Sequence, residues 1–120
     1  MFKRPLIYIQ VQRGYFTAKR VGTDRSVRKP CVGLDHPRTL MGDLSAVADS
    51  FKSAFKELYP SSWLFKPRAL VHLIPEAEGG YTNVELRAFN EAAAMAGASF
   101  TFMSTYERPH TDSELAEIVG

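Results

Sequence analysis

The sequence predicts an α/β fold of order β-β-β-α-β-α-β-α, folding as a mixed five-stranded sheet. Three observations carry this. Ala69–Ile74 is a continuous apolar run, followed by a capped helix from Thr82 to Gly97 and a second apolar run at Phe100–Met103. Strand, helix, strand in about 35 residues is close to the minimum length of a parallel crossover. Leu6–Gln12 and Tyr15–Val21 alternate about Gly14 and read as a hairpin. Between these regions, apolar residues recur every three or four positions from Leu40 to Leu58.

Each element has its own signals. Gly22-Thr23-Asp24 is a turn after the hairpin. A short third strand is expected at Pro30–Leu34, after the basic stretch Arg25–Lys29, with Pro30 marking a sheet edge. The first helix presents Leu40, Leu44, Val47, Ala48, Phe51, Ala54, Phe55 and Leu58 on one face. Asp43 is its expected N-cap, Lys56 lies near its C-terminal end, and Pro60 stops it. Ser61–Arg68 is a loop containing Trp63-Leu64-Phe65. The second helix opens with a capping box, Thr82 and Glu85, and a Tyr81–Leu86 staple. Leu86, Phe89, Ala93 and Ala96 form its apolar stripe, and Gly97 supplies the left-handed C-terminal position. Thr111-Asp112-Ser113-Glu114 is a second capping box, opening a short helix through Leu115, Ile118 and Val119.

With 120 residues, 45% hydrophobic and 23% charged, the chain reads as one domain with a real core, residues 1–120. It contains no run long enough to span a membrane and no signal-type apolar region after the basic start. The lone Cys31 excludes an internal disulfide and points to a reducing cytoplasm; it reads as a buried structural thiol. The net charge of +2 is unevenly spread: residues 1–38 carry nine Lys and Arg against two acids, residues 39–120 six against eleven. Such a split suits either an anionic partner or a solvated hairpin surface.

Leu64-Phe65-Lys66-Pro67-Arg68-Ala69-Leu70-Val71 resembles the entry to the fourth strand of the actin-like ATPases of the bacterial rod-shape (MreB) type. Thr82-Asn83-Val84-Glu85-Leu86-Arg87-Ala88-Phe89 is similar to their T-x-V-E-R-R-A-I helix start. Ala96-Gly97-Ala98 is similar to the exit of that helix, and Gly42-Asp43-Leu44 more weakly to the start of the first. The resemblance implies a ribonuclease H-like half-domain. Ile7-Tyr8-Ile9-Gln10-Val11 and the Glu-Gly-Gly turn before the second helix are also similar to small stand-alone bacterial proteins of the YjaA type.

Departures from the family pattern bear on activity. The family's first hairpin carries D-x-G-T, and aligning Ile9 before that Asp puts Gln10, Gln12 and Arg13 at the Asp, Gly and Thr positions. An amide is no anionic handle for hydrated Mg²⁺, and a side chain at position 12 obstructs close approach of a phosphate. The loss of the strand Asp also removes the core of a two-metal nuclease site. The family's E-E-P segment is replaced by Ser104–His110, and the second phosphate-binding half does not occur in these residues. No ATP hydrolysis, no cofactor and no catalytic residue is therefore expected. Glu85 matches the family's catalytic glutamate, but its capping role accounts for it.

Other constellations point to no chemistry. His36, His72 and His110 lack metal-ligand spacing, and His72 reads as a hydrogen-bonded core histidine. No zinc pattern, P-loop or G-x-S-x-G appears. The expectation is a non-catalytic interaction or regulatory protein acting as a homodimer or with a protein partner. By resemblance, Trp63, Leu64 and Phe65 match a membrane-inserting loop, which would add a peripheral contact with the inner membrane; the alternative is that Trp63 and Phe65 fold back under the first helix as core. A nucleic-acid contact through Lys19, Arg20, Arg25, Arg28 and Lys29 is the further alternative.

Overall fold

The computed structural model describes residues 5–34, 41–59, 66–74, 82–106 and 108–119. Its strands are β1 (Leu6–Gln12), β2 (Tyr15–Arg20), β3 (Ser26–Pro30), β4 (Arg68–Leu73) and β5 (Phe100–Ser104); its helices are α1 (Leu44–Leu58), α2 (Asn83–Ala96) and α3 (Asp112–Val119). The sheet order is β3-β2-β1-β4-β5. β1 pairs antiparallel with β2, and β2 with β3, while β4 runs parallel to β1 and to β5. The mixed five-stranded α/β architecture is as the sequence predicts.

Alternation along the strands divides the core in two. Ile7, Ile9, Val11, Phe16, Ala18, Ala69, Val71 and Leu73 join the buried faces of α1 and α2. Phe16 meets Phe51 of α1 edge to face, with ring centroids 5.0 Å apart. Each such fully buried ring contributes roughly 1.5–3 kcal/mol. Phe89, Ala92, Ala93 and Ala96 bring α2 close to the sheet. On the opposite face, Leu6, Tyr8 and Leu70 pack against Leu115 of α3. With helices over both faces, β1 is buried without a break from Leu6 to Ile9.

The caps form as their residue types dictate. The Asp43 carboxylate accepts from Ala46 N–H at 3.1 Å. Thr82 and Glu85 complete a reciprocal capping box, and Gly97 closes α2. Thr111 and Glu114 make the second box, at 3.2 and 2.9 Å. Tyr81 of the expected staple, Leu40 and Pro60 lie outside the described residues.

One strand is displaced from expectation. The third forms over Ser26–Pro30, the basic stretch itself, and Pro30 ends it rather than beginning it. At an edge only one side of the ladder is satisfied, so the half-exposed alternation of Ser, Val, Arg, Lys suffices without a continuous apolar run. Val32–Leu34 instead makes a 3₁₀ turn that buries Gly33 and Leu34. A Cβ at Gly33 would lie 2.9 Å from the Asp43 carbonyl oxygen and 3.1 Å from Ala46 and Val47. The absence of that carbon lets Gly33 O accept from both Gly42 N–H, at 2.7 Å, and Asp43 N–H, at 3.1 Å. The turn is thereby fastened to the start of α1.

Candidate functional site

The tip of the first hairpin is the place where the family resemblance would put a phosphate. Arg13 and Gly14 connect β1 to β2, with Gly14 at φ +84°, a conformation that favours glycine. Gly14 N–H donates to Leu34 O at 3.1 Å, and Gly14 O accepts from Cys31 N–H at 2.8 Å. Cys31 and the 3₁₀ turn after it therefore occupy both backbone groups of the turn glycine. Gln12 Oε1 accepts from the Tyr15 hydroxyl at 2.7 Å. Gln10 sits between Thr17 and His72 in the register, on the face away from α1 and α2.

Beside it, β1, β4, β5 and α3 bring together a polar cluster. His110 N–H donates to the Tyr8 hydroxyl oxygen at 2.9 Å. That phenol then donates to His72 Nδ1, 2.7 Å away, which leaves His72 Nε2–H to donate to Tyr106 O at 2.9 Å. His72 is fully buried, and burial pushes its pKa below the ordinary 6.5. Burial pushes the Tyr8 phenol up, against the opposing effect of its bond from His110 N–H. Both groups are thus neutral at pH 7. His72 is the hydrogen-bonded core histidine that the sequence suggests.

Ser104 Oγ lies 2.8 Å from His110 Nε2, and His110 Nδ1 lies 3.8 Å from Glu114 Oε2. The order of groups is that of a serine–histidine–carboxylate relay, but the second link exceeds hydrogen-bond distance. Glu114 Oε1 is held by Thr111 N–H and by Arg108, each at 2.9 Å, and these hold its carboxyl at about 2. Tyr106 stacks on His110 with ring centroids 5.6 Å apart. The cluster ties the segment after β5 and the start of α3 onto the sheet.

The five cations of the hairpin do not form one patch. Lys19 faces α3 and pairs with Asp112 at 3.0 Å. Lys29 pairs with Glu57 on the α1 side. Arg25 donates to Glu57 O at 2.9 Å, and Arg20 lies over the Tyr59 ring, 4.6 Å from its centroid. Arg28, on the α3 face, lies 4.1 Å over the Tyr15 ring. The acids of α3 and α1 thus draw Lys19 and Lys29 to two different sides of the sheet, and the end of α1 holds Arg25 through a backbone carbonyl.

Trp63, Leu64 and Phe65, like His36, lie outside the described residues. Glu85 makes the α2 cap, accepting from Thr82 N–H at 3.4 Å while Thr82 Oγ1 accepts from Glu85 N–H at 3.2 Å. Cys31 is buried, in keeping with a structural thiol. Among the described residues, no three His, Cys, Asp or Glu side chains gather as a metal site, and no helix is long and apolar enough to cross a membrane. Sequence reasoning missed the meeting of Tyr8, Ser104, His110 and Glu114. Period-two counting places Tyr8, His72 and Ser104 on one face, but only the strand register shows them adjacent.

Comparison with known proteins bears on the fold. No family model matches the chain, and no curated protein matches its sequence. Among solved structures, MreB 5 of Spiroplasma citri bound to AMPPNP superposes with a TM-score of 0.63 at 15% identity. The match covers 88% of this chain and 39% of that one. The fold is therefore that of an actin-like, ribonuclease H-like half-domain. At this identity the likeness concerns architecture alone.

Proposed function

We propose that this chain is a non-catalytic interaction or regulatory module built on an actin-like half-domain, without a competent ATP site. The hairpin tip carries the reading. Where the family resemblance expects an Asp and a phosphate-cradling glycine, this chain has Gln10 and Gln12, with Gln12 bonded to Tyr15. The Gly14 N–H is committed to Leu34 O. An incoming phosphate would meet an uncharged amide and a donor already in use, so binding would have to break the turn that holds the 3₁₀ segment. A nearer kinship with stand-alone proteins of the YjaA type, supported by the wording of β1, forms part of the same proposal.

Titration with ATP and Mg²⁺ followed by calorimetry tests it. No saturable heat is expected; a saturable one-site isotherm overturns the reading. An anionic surface or nucleic acid gripped by the hairpin draws less support, because its cations are divided between two faces and engaged with α1, α3 and Tyr15.

A further inference from the structure

We propose that the β5 edge is where this chain pairs with a second copy of itself. β5 would run antiparallel to β5 across a twofold axis, with the two α2 helices side by side on one face. The proposal rests on the reading of the chain as an interaction module and adds its surface and its occupant.

The two edges of the sheet are treated differently. β3 carries Arg28, Lys29 and Pro30, which are common guards against strand addition. β5 reads Phe100-Thr101-Phe102-Met103-Ser104, with no charge and no proline, and no described strand lies beyond it. Phe100 is 58% exposed and lies beside Phe102, with ring centroids 4.8 Å apart. Antiparallel pairing centred on Phe102 sets this residue opposite its own copy and Thr101 opposite Met103. Each face of the new ladder then joins apolar groups, and no like charges meet.

The helix layer favours a second copy over an unrelated extended peptide. α2 packs on both β4 and β5. Joining the edges sets the two α2 helices two strand spacings apart, about 10 Å, which falls within the usual helix-packing distance of roughly 8–10 Å. Between α2 and β5 runs a groove of about 630 Å³ lined by Leu86, Arg87, Asn90, Glu91 and Met103. Arg87 and Glu91 are exposed, one turn apart, and neither makes an ion pair among the described residues. In an antiparallel helix pair, Arg87 of each copy meets Glu91 of the other, so the charges complement themselves twice. The helix contact enlarges an interface that a five-residue strand alone would leave small.

Sedimentation velocity over a wide concentration range, with the full chain, provides the test. A reversible dimer is expected. Glu91→Arg brings cations together across the axis and should weaken dimerisation at least about tenfold. Adding Arg87→Glu to it should restore the dimer, and circular dichroism melts should show both variants folded, since both positions are exposed on α2. A monomer at every concentration overturns the proposal, as does a dimer indifferent to Glu91→Arg or a double variant that stays weak. A monomer without ATP affinity overturns only this inference, whereas saturable ATP binding overturns the reading beneath it.

Discussion

Tyr8 holds the second face of the sheet together, because its hydroxyl accepts from one chain segment and donates to another. Its bonds to His110 N–H and His72 Nδ1 join β1, β4 and the start of α3, and each would otherwise leave a buried polar group unpaired. The cluster has a consequence for pH. The folded-state pKa of His72 lies below 6.5, so the unfolded chain binds more protons as the solution is acidified. Stability is therefore fully present above 6.5 and lost as pH falls towards the folded value. Glu114 acts in the same sense at lower pH: its carboxyl is at about 2 in the fold against an ordinary 4.5, so stability falls again between those values. The thermal midpoint should accordingly drop in two stages on acidification, and Glu114→Gln should lose the second. A midpoint unchanged between neutral pH and 5.5 would contradict the neutral, buried His72.

At the scale of elements, what could be read in advance depended on how local the signal was. α1 and α2 are recognisable because periodicity, N-caps and Gly97 all agree within one short window. β1, β2 and β4 follow from alternation or a buried run for the same reason. β3 was misplaced because its position depends on a distant fact: the 3₁₀ turn docks Gly33 against the start of α1, and that contact is invisible in the sequence around Pro30. The docking predicts a cost. Gly33→Ala forces its methyl against the Asp43 carbonyl and Val47, and should destabilise the protein by about 1–3 kcal/mol. Denaturant unfolding should show a lower midpoint with an unchanged slope. A shift of only a few tenths of a kcal/mol would mean that the turn yields freely.

At the scale of the whole molecule, several of the described cations of the hairpin region find partners within the fold. Lys19 lies on Asp112 of α3 and Lys29 on Glu57 of α1, while Arg25 caps the C-terminal end of α1. Such exposed pairs contribute little stability each, but they divide the cations between two faces. No count of charge along the chain could show that division, because it requires the strand register. The hairpin tip was more legible: Gln10 and Gln12 are evident in the sequence, whereas the engagement of Gly14 N–H by Leu34 appears only in three dimensions. The central proposal, that this hairpin does not receive a phosphate, is most directly tested by amide chemical shifts of Gln10–Gly14 and Leu34 during titration with ATP and Mg²⁺. The expected result is no saturable movement of these resonances. Saturable shifts concentrated at Gln12–Gly14 would contradict it.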